Sequence, residues 1–373
     1  TEYNLTVEHA SDFPSLDGFL LDDYYNRDNL SSGWFKIQKN VDKYTVTKNI
    51  HSAYAEATYQ FTSRWIVNLG LKYDYVDINV DYNVNRGGSE GSNTIRKDYF
   101  LPSLNLKYNL NEKHSLRLGA SKTYTLPQAK EISPYRYVGV NFNSQGNPNL
   151  KPSDNYNFDL KWDFNPSPTE LVSLTAFYKH IKDPISRIEV ASAGGYLSYE
   201  NISDRAIVAG VEVEIRKNLF VRPLSSAANG MNKLSFGLNG SYIYTNAKMP
   251  LATVTTGSQL EGAAPWIANF DLSHHFTRDE RSFVNTLVLN YVSDKIYTIG
   301  TQGYQDIMER GLVTLDFVSQ ARLNKYLSLN LKARNLLNPS HKLSRKANES
   351  GEKVVLGDYK KGINISLGVS CTF

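Results

Sequence analysis

From Gly362 to Phe373 the chain alternates without a break: Ile363, Ile365, Leu367, Val369, Cys371 and Phe373 interleave with Asn364, Ser366, Gly368, Ser370 and Thr372. A period of two puts one set on each face of an extended strand. One face is oily and the other polar, and the run ends on an aromatic side chain. That is the pattern of a transmembrane strand in an outer-membrane barrel.

The period recurs. Phe158, Leu160, Trp162 and Phe164 alternate with Asn157, Asp159, Lys161 and Asp163, and Leu104, Leu106, Tyr108 and Leu110 behave likewise. Ile207, Ala209, Val211, Val213 and Ile215 alternate with Gly210, Glu212, Glu214 and Arg216. Charges at that density suit a wet lumen better than a dry sandwich core. A soluble antiparallel sheet with one dry face explains any single segment equally well. About fourteen such segments in one chain favour the barrel.

The alternation predicts strands near residues 2–9, 44–61, 65–82, 98–109, 114–124, 153–164, 170–181, 206–217, 232–246, 266–276, 282–293, 312–323, 326–336 and 360–373. Tight links at Phe61–Trp65, Asn109–His114, Asn165–Thr169, Thr277–Arg281 and Asn324–Tyr326 separate much longer ones. The long ones are 10–40, 83–97, 125–152, 182–205, 247–265, 293–311 and 337–357. Short turns at one rim and long loops at the other are the habit of outer-membrane barrels. The link from Asn218 to Asn232 is too long for the short-turn rim. Tyr54, Tyr59, Phe61, Trp65, Tyr73, Tyr75, Trp162, Phe164, Tyr242, Tyr244, Trp266 and Tyr291 fall near strand ends, where lipid–water girdles lie.

Composition agrees. The 373 residues include 25 Tyr and a single Cys, so no internal disulfide forms, and Cys371 in its apolar register reads as a small outward hydrophobe. The net charge of +4 is small for the length, which speaks against a nucleic-acid binder. Lys342, Arg345, Lys346, Lys353, Lys360 and Lys361 form one local basic cluster without interleaved stacking aromatics, and read as a solvated loop facing anionic lipopolysaccharide. No apolar run of about eighteen residues is present, which rules out a transmembrane helix but not a barrel. No signal peptide is visible, so the sequence is expected to be a mature chain or a fragment.

A search for chemistry finds no catalytic constellation. The seven His residues lack a His-Glu-x-x-His spacing, and His274 and His275 point to opposite faces of one strand. Asp12, Asp17, Asp22, Asp23 and Asp28 cluster in the first long loop without the spacing of a calcium loop. No nucleophile elbow, phosphate loop or dinucleotide fingerprint occurs. No enzyme activity, metal site or cofactor is expected.

Four stretches carry a resemblance: Arg64–Tyr75 (RWIVNLGLKYDY); Leu101–Pro127 with Lys130–Pro134; Gly146–Pro152 (GNPNLKP) with Asn155–Leu160 and Ala176–Ile185; and Arg334–Asn338 (RNLLN) with the terminal Phe373. Together they resemble TonB-dependent outer-membrane receptors, especially their Bacteroidota branch, and GNPNLKP is the specific part. The resemblance implies an all-β, antiparallel up-and-down transmembrane barrel, with residues 1–373 as the C-terminal portion of a barrel of about 22 strands. The N-terminal plug, the TonB box and about eight strands would then lie outside this sequence.

Phe373 would serve as the terminal assembly signal. Gly146, Asn147, Pro148, Asn149, Leu150, Lys151 and Pro152 would form a structural turn feeding the next strand. Loop aromatics Tyr135, Tyr137, Phe142, Tyr196 and Tyr199 are candidate contacts for a sugar, peptide or siderophore, or else pack the loops together. The function implied is uptake of a large scarce solute, with TonB engaging the missing N-terminal part. Outer-membrane lipid, lipopolysaccharide and a surface lipoprotein are the other partners. Two alternatives stand beside it: a complete fourteen-stranded diffusion channel, and a structural subunit of an outer-membrane complex. In a truncated barrel, strands 2–9 and 362–373 would not pair with each other.

Overall fold

A computed structural model of the chain describes residues 2–7, 35–40, 43–84, 89–139, 141–190, 195–224, 230–247, 259–301, 303–347 and 350–372, with only the backbone of 2–7, 35–40 and Ser89. In chain order the first elements are β1 (Glu2–Val7), β2 (Phe35–Asn40), β3 (Lys43–Gln60), β4 (Trp65–Val84), β5 (Ser89–Asn109) and β6 (His114–Thr125). A one-turn helix α1 (Ala129–Ile132) follows, then β7 (Arg136–Val138), β8 (Asn143–Gln145), β9 (Ser153–Phe164), β10 (Leu171–Lys182), β11 (Ile185–Val190) and β12 (Tyr196–Asn201). Next come β13 (Arg205–Pro223), β14 (Met231–Ala247), β15 (Trp266–Arg278), β16 (Arg281–Val292), β17 (Lys295–Thr298) and β18 (Ile307–Glu309). The last are β19 (Leu312–Arg322), β20 (Leu327–Arg334), β21 (Ser340–Lys346), β22 (Lys353–Lys360) and β23 (Asn364–Cys371).

One 13-stranded sheet runs β3-β4-β5-β6-β9-β10-β13-β14-β15-β16-β19-β20-β23, each strand beside the next in sequence apart from small strands inside the loops. Every neighbouring pair in it is antiparallel, the up-and-down order that the alternation predicts. The segment near residues 2–9 departs from that expectation. As β1 it pairs with β2 in a separate two-stranded sheet, because a closer extended partner at 35–40 takes its hydrogen bonds. Among the described residues β23 pairs only with β20, and β3 only with β4. Residues 2–7 and 364–371 are therefore not joined, and Phe373 lies outside the described residues.

The short-turn rim repeats one device. Thr62 Oγ1 accepts the N–H groups of Arg64 and Trp65, each at 3.2 Å. Asn111 Oδ1 takes those of Lys113 and His114, and Asn324 Oδ1 those of Tyr326 and Leu327, all at 2.9 Å. Short polar side chains replace the missing ladder partners and lock the reversal. The link that looked too long shrinks to residues 224–230, because β13 continues past a bulge between Asn218 and Phe220 to pair Pro223 with Met231.

Strand β4 changes its binary pattern partway along. Near the short turns Leu69 and Leu71 point outward, while Asn68, Gly70, Lys72 and Asp74 share the other face. Past Tyr73 and Tyr75 the polarity inverts. Asp77, Asn79 and Asp81 take the outward register, and Val76, Ile78 and Val80 are buried on the inner one. Asp77 pairs with Arg96 of β5 at 3.4 Å, and Thr94 donates to Asn79 at 2.8 Å, so the outward face is a polar ladder. Inward, Val76, Ile78 and Val80 join Tyr99, Ile132 and Leu150 in one cluster. The lower part has lipid outside and water inside; the upper part has water outside and protein inside.

The β5–β6 ladder ends at Ser103–Ser121, so the β4–β5 hairpin rises beyond its neighbour. There Tyr124 of β6 reaches across, stacks on Tyr99 with centroids 4.0 Å apart, and donates its hydroxyl to Asp74 Oδ2 at 2.7 Å. Lys72 Nζ holds the same oxygen at 2.8 Å. Tyr124→Phe is expected to cost about 1–2 kcal/mol, the value of one hydrogen bond to a buried charge. Denaturant midpoints of the barrel refolded in lipid vesicles check it; an unchanged midpoint would mean that Lys72 and Ser52 satisfy the carboxylate without Tyr124.

Candidate functional site

The long loops are not loose. β11, β12, β8 and β7 form one four-stranded sheet, and β17, β18, β21 and β22 another. An isolated parallel bridge joins them at Ile188 and Ile299, where Glu189 N–H donates to Ile299 O at 3.0 Å and Ile299 N–H to Arg187 O at 3.1 Å. Beneath the bridge, Ile188, Ile202, Ala206, Ala247, Leu260, Ile296 and Ile299 make a second apolar cluster. Five inter-strand connections thus meet in one packed layer at one rim.

Arg187 is its central tie. Its guanidinium donates to Tyr297 O through Nη2 at 2.6 Å and Nε at 3.2 Å, and lies 3.9 Å from the centroid of the Tyr297 ring. It also pairs with Glu261 at 2.9 Å, while its backbone N–H donates to Glu261 Oε2 at 2.5 Å. Burial pushes the Glu261 carboxyl above its ordinary range, and the Arg187 contacts oppose that shift only in part. Two residues beyond Arg187, Glu189 receives Arg345 Nη2 at 2.6 Å.

Gly146–Pro152 sits where this layer meets the hairpin. A Cβ on Gly146 would fall 2.2 Å from Ser133 O, 2.6 Å from Lys130 O and 2.8 Å from Glu131 O, so the backbone passes flush against the end of α1. Asn147 N–H donates to Glu131 O at 2.6 Å, and Asn147 Nδ2 to Tyr199 O at 3.0 Å. Asn149 N–H closes a turn on Asn147 Oδ1 at 3.0 Å, and Pro148 O accepts from Asn93 of the hairpin. Leu150 is buried in the hairpin cluster, and Lys151 exchanges hydrogen bonds with Asn201 at 2.8 and 2.9 Å.

The loop aromatics separate by surroundings. Tyr199 is half-buried against the hairpin cluster, where burial raises its phenol. Tyr135 lies tilted against Tyr44 of β3 with ring centroids 5.8 Å apart, and Phe142 lies 6.2 Å from Tyr297. Arg136 covers Tyr196 at 5.8 Å. Tyr137 is exposed, with Lys130 Nζ 4.6 Å above its ring. Phe142 and Tyr199 both adjoin the Arg187–Tyr297 pair.

A cavity of about 360 Å³ does bring charge together, between the end of the β14–β15 loop, β17–β18 and the β21–β22 hairpin. Arg310, Arg345, Lys346 and Lys353 line it with Asp294 and Asp306. Arg310 is engaged by Asp294 at 2.5 Å and Arg345 by Glu189. Lys346 and Lys353 face each other directly across the β21–β22 ladder, and no described carboxylate lies within ion-pair distance of either. Like charges opposite one another destabilise a sheet unless something neutralises them. Burial raises the Asp306 carboxyl above its ordinary range, against the pull of the Gly300 N–H.

The basic cluster lies on and just after the β21–β22 hairpin, with Lys342, Lys346, Lys353, Lys360 and Lys361 exposed as expected of solvated residues. Lys342 is spent on Asp358 at 3.4 Å, Arg345 is tied inward, and Lys346 with Lys353 lines a cavity. Sequence reasoning missed the cavity because its walls come from three separate connections; the alternation of β21 was the one local signal. A larger hollow of about 940 Å³ lies at the opposite rim between the tight turns, around Arg64 and Lys113, away from the loop layer. Among the described residues no group of three or more His, Cys, Asp or Glu is placed to hold a metal, and the five loop aspartates lie outside them.

Lipid-facing alternation, a girdle at strand ends and a crown of loops at one rim define an outer-membrane β-barrel protein. Residues 2–336 match the family described as TonB dependent receptor-like, beta-barrel, and the chain belongs to that family. An iron-regulated outer membrane virulence protein of Vibrio cholerae serotype O1 is 25% identical over 228 residues, covering 58% of this chain and 32% of that protein. The ferric yersiniabactin uptake receptor FyuA of Yersinia pestis superposes with a TM-score of 0.60 at 16% identity, over 89% of this chain and 47% of that one. The copper transporter OprC gives 0.61 at 14% identity, over 91% and 49%. The chain thus spans about a third of the curated relative and about half of the solved structures.

Proposed function

We propose that this chain is part of a TonB-dependent outer-membrane receptor that takes up an anionic solute, and that the cavity at Lys346 and Lys353 is where the anion is first held. The observation that carries this reading is the pair of lysines that face each other across the β21–β22 ladder, neither in a described ion pair, in a cavity whose acid Asp294 is already engaged by Arg310. Relatives named for iron regulation and ferric yersiniabactin make an anionic ferric chelate the leading class. The reading contains no catalytic step. Among the described residues, strands β3 and β23 each keep one unpaired edge, which hydrocarbon does not tolerate. That supports closure by further strands around a plug, through which TonB would act.

The test uses the full-length receptor and two probes, an anionic ferric tris-catecholate and an uncharged ferric hydroxamate. Each lysine contributes on the order of 1–2 kcal/mol toward an anion at 8–10 Å in a partly solvated site. Neutralising both (Lys346→Gln with Lys353→Gln) is expected to weaken catecholate binding by roughly one and a half to three orders of magnitude, at about 1.4 kcal/mol per decade, and leave the hydroxamate unchanged. Equal binding of both probes by the wild type, or indifference of the double variant, overturns the anionic assignment.

A further inference from the structure

The lipid-facing surface carries a built feature that solute uptake does not use. Between β5 and β6, at the point where their ladder ends, an apolar notch of about 410 Å³ opens on the outward side of the sheet. Its origin is local. Pro102 has no N–H to continue a ladder, and pairing to β6 stops at the adjacent Ser103. Ala120, opposite Leu104, supplies little side chain to fill the gap, and Leu69, Leu104 and Phe158 form its walls.

Lys122 and Tyr156 close the upper end. They lie directly opposite each other on β6 and β9, two residues above the lipid-facing pair Ala120 and Phe158. Lys122 Nζ is 5.7 Å from the Tyr156 ring centroid and Lys182 Nζ is 5.8 Å from the same centroid, so two ammonium groups share one ring. Lys97 of the rising hairpin adds a third. Asp154 is held by Lys97 at 2.9 Å and contacted by Lys122 at 3.6 Å; it stands opposite Lys182 across the β9–β10 ladder, and no ion pair to Lys182 is formed among the described residues. His180 packs with its ring centroid 6.2 Å from that of Tyr156.

We infer that the notch and its lysine rim form a binding site for a phosphate-bearing lipid of the outer leaflet, with one acyl chain in the groove between β5 and β6 and the phosphate held by Lys122 and Lys182. The chemistry fits at both ends. A slot among Leu, Pro, Ala and Phe side chains suits an alkyl chain, and three lysines against one carboxylate leave positive charge where an anionic headgroup would sit. The long loops rise at the same end, which places the rim at the outer interface.

The full-length receptor, extracted in mild detergent and exchanged into nanodiscs, is examined by native mass spectrometry with diphosphorylated lipid A, phosphatidylglycerol or phosphatidylcholine as probe. Retention of lipid A over phosphatidylcholine by at least tenfold is expected. Lys122→Glu with Lys182→Glu should abolish that preference. Ala120→Phe, which fills the notch and keeps every charge, should lower retention of any probe. Wild-type retention in both variants overturns the proposal. Displacement of the lipid by millimolar inorganic phosphate would mark a soluble-anion site and overturn the lipid assignment. Heat-modifiable electrophoretic mobility confirms that each variant is folded, so loss of binding is read on an intact barrel.

Discussion

Replacing Arg187 with alanine is expected to loosen the loop layer by about 3 kcal/mol while leaving the membrane sheet intact. The guanidinium makes two bonds to Tyr297 O, an ion pair to Glu261 and a stacked contact with the Tyr297 ring. Removing it leaves Glu261 charged in a site whose burial already disfavours charge. Both side chains keep roughly a fifth of their surface in water, which places the cost at the low end for a broken buried pair. Native-state hydrogen exchange on the full-length protein is the measurement. The amides of Glu189 and Ile299, which bridge the two loop sheets, should exchange about a hundredfold faster, at 1.4 kcal/mol per decade. Unchanged exchange at both would show that the apolar cluster at Ile188 and Ile299 holds the layer without Arg187.

The second large effect belongs to Gly146→Ala. Three backbone oxygens stand closer to the added methyl than any real Cβ tolerates, and none can swing aside as a side chain can. Overpacking of this kind costs about 2–3 kcal/mol. The expected outcome is separation of the 146–152 segment from α1, which frees Asn147 N–H from Glu131 O and withdraws Leu150 from the hairpin cluster. Limited proteolysis of intact cells should show new cleavage near residues 146–152, with the barrel still migrating as folded. A variant as resistant as wild type would mean that α1 shifts to accommodate the methyl.

The sheet was legible in the sequence because the feature that encodes it is the one that builds it. In a strand with lipid on one face and water on the other, alternation is itself the energetic requirement, so the segments near 153–164 and 266–276 reappear as β9 and β15 almost residue for residue. The loop strands obey no such rule. β11 reads Ile-Ser-Arg-Ile-Glu-Val and is covered on both sides, so Arg187 and Glu189 find partners in distant connections rather than in solvent. β8 has three residues, too few for any period.

The predicted start near residue 98 for β5 came late for a related reason. Above the girdle the inward face turns apolar, and Ile95 opposite Ile78 follows a pattern with the opposite sense to that of Leu104 opposite Leu69. Of the candidate site, the sequence marked single residues such as Tyr137 and Lys353, but not the convergence of three connections around Lys346. Nothing local encodes that meeting.

The inversion along β4 has a mechanical consequence. Drawn toward the cell interior by one dipeptide, about 7 Å, the strand carries Asp77 toward the hydrocarbon boundary. Pushed the other way, it lifts Leu71 into the headgroups, and each leucine so displaced forfeits up to about 2 kcal/mol of burial. Both displacements run uphill, so the wall seats itself at one depth. A force applied along the membrane normal to whatever lies inside would meet a frame that holds its position, and the load would go into the cargo or its retaining segment.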